Sequence, residues 1–279
     1  MAGDYLIRVM SRAEFDRAVE WAAAEGWNPG LTDADAFYAA DPGGFFGGVL
    51  DGAMVASISL VAYDAQFSFL GFYIVQPAHR GKGFGLTLWR EALARHGTKL
   101  IGLDGVVAQQ ENYKKSGFQL AYRNIRYGGV VAGKPSARLI AADRVPVEQL
   151  LAYDREFFPA PRPAFLGRWI RPRRGAALAA VADGKLSGLG VIRACREGFK
   201  IGPLYAETER IAEELFLALA AAASGATVYL DVPAPNAAAA SLAERHGLKP
   251  VFETARMYTG APPDLPLPKL FGVTSFELG

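Results

Sequence analysis

Apolar and polar positions along the chain change period in one order of elements that occurs twice. "GGVLDGAMVASISLV" reads as two strands about an Asp51-Gly52 turn, because both residues suit the positive φ angles of a two-residue hairpin. "FSFLGFYIVQ" follows as a third strand, and then a helix in which Leu86, Trp89 and Leu93 share one face at spacings of 3 and 4. "KLIGLDGVV" is another strand, "QQENYKKSGF" a short helix closed by Gly117, and "LAYRNIRYGGV" a last strand. The order returns as "LAAVADGKLSGLGVIRAC", "FKIGPLYAE", a helix from about Thr208, "TVYLDVP", the helix "NAAAASLAERHG" and "KPVFETARMYTG". The two Asp-Gly turns lie 132 residues apart and the helix-ending Gly117 and Gly247 lie 130 apart, an offset that indicates a duplicated domain. Each half also begins with helix-like segments. Ser11 and Glu14 stand in capping-box spacing in the first, and "VPVEQLLAYDREFF" takes the corresponding place in the second. The seam falls near "VVAGKPSARL", which gives units of residues 1–133 and 134–279.

Composition narrows the classes. The chain has 279 residues, enough for two ordinary domains, with 51% hydrophobic and 21% charged residues and a formal net charge of +2. Bulk charge therefore gives no support to nucleic acid as a partner. Cys195 is the only cysteine, so an intrachain disulfide and a zinc site built on several thiolates are excluded, and a buried inert thiol is expected. "MAGDYLIRVMSRAEF" has no leader-like pattern and no window approaches about 18 uninterrupted apolar residues, so a cytoplasmic location without membrane contact is expected.

The candidate chemistry starts in "VQPAHRGKGFGLTLW". A glycine-rich turn between a strand and a helix presents unpaired N–H groups at the positive end of the helix dipole, where an anion can sit. Arg80 and Lys82 add charge, so a phosphate-bearing ligand is expected. Gly81, Gly83 and Gly85 do not complete the dinucleotide fingerprint, and no Gly-Lys-Ser/Thr follows for a nucleotide hydrolase.

What the stretch Arg80-Gly81-Lys82-Gly83-Phe84-Gly85 resembles is the acetyl-coenzyme A loop of the GNAT superfamily of N-acetyltransferases. The resemblance implies that the loop amides hold the pyrophosphate and that the backbone at Ile74 and Val75 pairs with the pantetheine arm. "NYKKSGF", residues 112 to 118, is similar to the family's Tyr-x-x-x-Gly-Phe segment and places Tyr113 near the thioester sulfur, 33 residues after Arg80. "GWNPGLTDADAFYAADPGGFF" and "GVTSFELG" look like a tandem-GNAT subfamily whose second half is degenerate. The implied fold class is α/β (α+β), two tandem domains each with a mixed, mostly antiparallel sheet flanked by helices. The implied function is transfer of an acetyl group from acetyl-CoA, without a metal, to the amine of a small-molecule acceptor by a monomer or homodimer. A coenzyme A-binding regulatory module and a protein-lysine acetyltransferase are the alternatives.

Acetyl transfer makes demands on residues. An alkylammonium with pKa near 10.4 must lose a proton at pH 7, which costs about 4–5 kcal/mol without help. Asp104, in an apolar strand, needs either a partner or a role as base or amine-binding group. Glu111 is a second candidate, or a residue that favours a helix N-terminus. Full proton transfer from an ordinary tyrosine to a leaving thiolate is uphill by about 2 kcal/mol, so hydrogen bonding from Tyr113 is as suitable as acid catalysis.

In the second half the segment matching the loop is "LYAETERIAEELF", where Glu207, Glu209 and Glu213 repel pyrophosphate, and Ala243 replaces the tyrosine. Asn236 stands where many GNAT proteins place an asparagine near pantetheine, although a helix N-cap also explains it; the first half has Val106 there. One active site, in the first half, is expected. His79 either touches a phosphate or is a turn residue, and His96 and His246 suit helix ends. Trp21, Trp27, Phe37 and Tyr38 form either an aromatic acceptor wall, with Asp33 or Asp35 reading a cation, or ordinary core. The arginines of "PAPRPAFLGRWIRPRR" are expected on a solvated face. "GVTSFELG" is expected to return to a sheet.

Overall fold

In the first half the chain forms β1 (Tyr5–Val9), α1 (Arg12–Ala24), α2 (Asp33–Ala40), β2 (Phe45–Leu50), β3 (Ala53–Ala62), β4 (Phe67–Val75), α3 (Phe84–Ala94), β5 (Leu100–Val106), α4 (Gln110–Lys114) and β6 (Gln119–Val130). In the second it forms β7 (Leu139–Ala141), α5 (Val147–Phe157), α6 (Pro163–Trp169), β8 (Gly175–Ala182), β9 (Lys185–Ala194), β10 (Phe199–Ala206), α7 (Glu209–Ala220), β11 (Thr227–Pro233), α8 (Ala237–Arg245), β12 (Lys249–Tyr258) and β13 (Leu270–Gly272). The computed structural model describes residues 4–95 and 97–279, so the first three residues of the N-terminal stretch and His96 lie outside the described residues. No helix among the described residues is long and apolar enough to cross a membrane.

Local chemistry places the elements. Asp51 and Gly52 have φ of 48° and 82°, and Asp183 and Gly184 have 51° and 73°, so both hairpins turn through paired positive φ angles. Ser11 accepts from the Glu14 amide while Glu14 reaches back to the Ser11 amide, which completes the capping box of α1. β1, α2 and β7 go beyond the sequence expectation. β1 exposes Leu6 and Val9 and shows no apolar alternation, and α2 is a short helix of eight residues.

All thirteen strands join one sheet, in the order β1-β2-β3-β4-β5-β12-β6-β11-β10-β9-β8-β7, with β13 added to β10. Its pairings are antiparallel except β4–β5 and β10–β11. The halves are therefore not two separate sheets. The last long strand of each is exchanged: β12 lies between β5 and β6, and β6 runs against β11. Exchange covers the strand edges that each half alone would leave open.

Charge pins the register of this exchange. Arg256 stands opposite Asp104 across β12–β5, and Arg126 stands opposite Asp231 across β6–β11. Both guanidiniums are bidentate, Arg256 at 2.9 and 2.6 Å and Arg126 at 2.6 and 2.8 Å. The arginines are 130 residues apart, the spacing of the helix-ending glycines, so the pairs are copies of one duplicated contact. A slip by one residue would turn each charge to the other face without its partner.

The parallel register of β4 and β5 ends at Leu70 and Leu103, and that of β10 and β11 ends at Ile201 and Leu230. Beyond these points a gap opens between the strands of each pair. In the second half the chain fills its own gap. β13 pairs with β10 at Leu204 and Tyr205, and the Val273 amide donates to the Asp231 carbonyl at 2.9 Å. Asn236 caps α8 by accepting from the Ala239 amide at 3.0 Å, and its Nδ2 faces the carbonyls of Leu267, Pro268 and Leu270 at 3.0 to 3.3 Å. "GVTSFELG" thus returns to the sheet only through β13; the following residues are buried against the first half. Tyr63 donates to the Leu278 carbonyl at 2.8 Å, and a Cβ on Gly71 would lie 2.1 Å from the Glu277 carbonyl oxygen.

The largest apolar core sits at the junction, where Phe37 of α2 stacks on Phe165 and Trp169 of α6. The arginine-rich connection departs from the expected solvated face at Arg162. This side chain is fully buried, bidentate to Asp154 at 2.8 Å, and donates to the Gly279 carbonyl at 3.1 Å. Four polar partners offset its desolvation, which periodicity cannot show. Cys195 is buried as expected, and burial pushes its thiol up.

Breaking one copy of the exchanged pair leaves a buried charge alone. Asp231→Leu is expected to cost about 3–5 kcal/mol in urea unfolding, and Asp231→Leu with Arg126→Met to regain most of it. A single variant as stable as the parent would remove the pair from the account of register.

Candidate active site

The site begins at a break in β4. Phe72 has φ of 48°, rare for a large side chain, and the register with β3 shifts between Ser57 and Ser59. Ser57 Oγ holds the bulge by donating to the Phe72 carbonyl at 2.8 Å. Past it, Tyr73, Ile74 and Val75 leave β5 and line a cavity of about 590 Å³, which Leu103, Asp104 and Val106 line from the other side.

The glycine-rich loop closes one end. Gly81 and Gly83 have φ of 74° and 86°, so other residues would be strained there although space is open. The amides of Phe84, Gly85 and Leu86 have no intrahelical acceptor, because the Thr87 amide is the first to reach back, to the Gly83 carbonyl at 3.0 Å. Gly85 is required by packing: a Cβ there would lie 2.7 Å from Val75 Cγ2 and 2.8 Å from the Tyr73 hydroxyl. This is a cradle of free N–H groups at a helix N-terminus, suited to an anion.

The predicted residues divide into several roles. Arg80, Gly81, Gly83 and Gly85 line the cavity with Ile74 and Val75. Arg80 is tied back, since its Nε donates to the Val75 carbonyl at 2.9 Å and its guanidinium pairs with Glu25. Lys82 is exposed beside the loop. Phe84 offers only its backbone, because its ring packs 4.7 Å from that of Tyr5. His79 lines the cavity, with a buried Nδ1 that has no partner among the described residues. His246 suits its helix end differently from the expectation, by meeting Glu213 at 2.7 Å.

Tyr113 reaches the same cavity from α4, its ring stacked on Trp89 at 5.6 Å. It crosses Gly105 so closely that a Cβ there would meet the ring at 2.2 Å. Burial pushes its phenol up to about 12, with Tyr73 adding to the effect. Asp104 has the partner that its apolar strand demanded. It accepts from Arg256 and, at 2.8 Å, from Asn124, and burial pushes its carboxyl up against the pull of both. Glu111 is not brought to the cavity; it is 76% exposed and pairs with Lys114 at 2.7 Å.

Of the aromatic set, Trp27 lines the cavity, while Trp21, Phe37 and Tyr38 belong to the junction core. Asp33 is committed to Arg193 and the Gly30 amide, and Asp35 to Arg12. The sequence reading missed Tyr73 and a wall from the far half made of Phe252, Thr254, Phe276 and Glu277. Tyr73 could have been found from its place beside Ile74. The wall arrives only through strand exchange and the returning tail, for which no local signal exists.

Residues 11–118 match the acetyltransferase (GNAT) family, and residues 150–272 match an acetyltransferase (GNAT) domain. Holothin acyltransferase of Pseudoalteromonas sp. (strain SANK 73390) is 34% identical over 276 residues, covering 96% of this chain and 92% of that protein. A putative acetyltransferase from Pyrococcus horikoshii shares the fold at a TM-score of 0.84 and 22% identity, over 99% of this chain and 96% of that one. A tandem GNAT protein from the clavulanic acid biosynthesis pathway shares it at a TM-score of 0.64 and 16% identity, over 94% and 100%. Two matched segments in tandem, with a relative aligned along almost the whole chain, make this protein an acyltransferase of the GNAT family built from two GNAT domains.

Proposed function

We propose that the protein moves an acetyl group from acetyl-CoA to the primary amine of a small-molecule acceptor, at one site in residues 1–133, with residues 134–279 shaping the acceptor side. The observation that carries this reading is the asymmetry of the two strand gaps. The first opens into the cavity beside a glycine-rich loop, whereas the second is filled by β13 and bordered by Glu207 and Glu209. A cavity of about 590 Å³ walled by both halves favours a small acceptor over an extended peptide, and the 34% identical relative is itself named for transfer to a compound, holothin.

Bound acetyl-CoA supplies an acetyl thioester, and the chain's residues bind and orient around it. The amides of Gly81 to Gly85 hold phosphate oxygens, with Lys82 adding charge. Ile74 and Val75 offer backbone beyond the bulge. Tyr113 keeps its proton: with its phenol near 12, full transfer to a thiolate of pKa about 8.5 runs uphill by about 5 kcal/mol, so the hydroxyl donates a hydrogen bond to developing charge. Asp104 is the carboxylate we retain at the site, held by Arg256; Glu111 we assign to the surface of α4.

Calorimetry with acetyl-CoA and thiol release with a panel of primary amines test the reading. Gly83→Glu, which places a strained side chain and a negative charge in the cradle, is expected to lower acetyl-CoA affinity about 100-fold or more. Tyr113→Phe is expected to leave that affinity intact and lower kcat about 10- to 100-fold. Tight binding with no turnover of any amine would favour a regulatory or protein-directed role.

The raised phenol gives a second test. The neutral form is favoured in the folded protein, so its contribution to stability is present below about pH 10 and is lost as pH rises toward 12. The pH profile of kcat is accordingly expected to show no limb that Tyr113→Phe removes below about pH 10. A limb near neutrality that disappears in Tyr113→Phe would assign the tyrosine as a true acid.

A further inference from the structure

The wall contributed by the second half carries a group that the donor chemistry leaves unused. Glu277 is 4% exposed, lines the cavity, and its Oε2 has no hydrogen-bond partner among the described residues. Its backbone is fixed against the bulge strand, where Gly71 alone allows the approach. A buried carboxylate oxygen without a donor is strongly unfavourable unless a bound group completes it.

Three buried cations, Arg126, Arg193 and Lys200, act on Glu277 through charge, yet none of them donates a hydrogen bond to it among the described residues. Arg126 is bidentate to Asp231 and donates to the Trp27 carbonyl at 3.0 Å. Arg193 donates through Nε to Asp33 at 2.8 Å and lies over the Trp169 ring, and no bond joins its free terminal nitrogens to Glu277. Lys200 donates to the Asn28 carbonyl at 3.0 Å, and burial pushes its ammonium down. Around Glu277 the cavity is aromatic but not free of charge, since the Arg126 guanidinium also lines it, 4.8 Å over the Phe276 ring and 5.7 Å over that of Phe252. Trp27 and Phe72 have centroids 6.5 Å apart, Phe252 and Phe276 are 6.3 Å apart, and all four line the same space.

We propose that Glu277 and these four rings form the acceptor subsite, and that the acceptor is a small primary amine carried on an apolar or aromatic body. This rests on the cavity being the acyl-transfer site. An ammonium supplies the hydrogen-bond donor that Oε2 lacks, and the rings form an apolar wall for the flat body behind it.

The test compares 2-phenylethylamine with its neutral counterpart 2-phenylethanol, titrated into the full chain by calorimetry, with acetyl-CoA titrated separately. The amine is expected to bind about tenfold or more tighter than the alcohol, the preference to vanish in Glu277→Gln, and acetyl-CoA affinity to stay unchanged in that variant. Equal binding of amine and alcohol to the wild type, no binding of either, or a preference that survives Glu277→Gln overturns the proposal. Should Glu277→Gln fail to fold, Phe252→Leu at the half-buried edge of the ring set is expected to weaken the amine about fivefold without affecting acetyl-CoA, and an unchanged amine affinity counts against the subsite. Loss of acetyl-CoA binding in the wild type, with the amine preference intact, sinks the acetyl-transfer reading while the subsite stands.

Discussion

The exchanged ion pairs Asp104–Arg256 and Arg126–Asp231 are the constraint on which the architecture depends. Each joins a carboxylate of one half to the last strand of the other, and each is buried, so neither charge has a tolerable alternative once the sheet forms. The energetic value of such a pair over an apolar replacement is small, but its value in excluding wrong register is large. Strands β5, β12, β6 and β11 can meet in any register by backbone bonding alone. Only one sets both arginines opposite both aspartates. With that register fixed, Phe252 and Thr254 on β12 face the cavity of the other half, and Asp104 and Arg126 become part of its lining.

The same construction yields two gaps with different contents. A gap between diverging parallel strands exposes backbone groups that must find partners. In the first half those groups face an open cavity next to amides suited to an anion. In the second, β13 satisfies them, and Asn236 binds three carbonyls of the segment that fills the space. The glutamates around that second gap follow from this occupancy. Once the chain supplies its own strand, positive potential there has no ligand to serve, and Glu207 pairs instead with Lys269.

Much of this was legible in the sequence where the signal is local. Hairpin turns at Asp51-Gly52 and Asp183-Gly184 need positive φ, capping boxes need two residues at a set spacing, and the loop at Arg80 to Gly85 combines glycine with a strand–helix junction. The duplication could be read as an offset. The exchange could not, because β6 and β12 have the same pattern whichever half they join. For the same reason the sequence marks Asp104 as needing a partner without identifying Arg256, and the composition around Arg162 points to solvent although Asp154, Tyr205, Thr274 and the Gly279 carbonyl surround it. Glu277 lay in a tail read only as a possible strand, and its place in the cavity depends on residues more than 200 positions away.

A second domain with its gap filled and no loop for a donor has a physical reason to persist under the function proposed. The first half can build a donor cradle from its own glycines and Tyr113, since every one of those residues lies between β4 and β6. On that reading it does not wall the acceptor side by itself, because part of the cavity lining comes from the second half. Phe252 and Thr254 from β12, and Phe276 and Glu277 from the chain beyond β13, close that side, and all four reach it only through the exchanged strand and the returning tail. Excluding water there strengthens every electrostatic contact in the cavity, the Tyr113 hydroxyl included. Under the function proposed, donor binding belongs to one half and acceptor choice to the other, and β13, by filling the second gap, anchors the segment that carries Glu277 into the first.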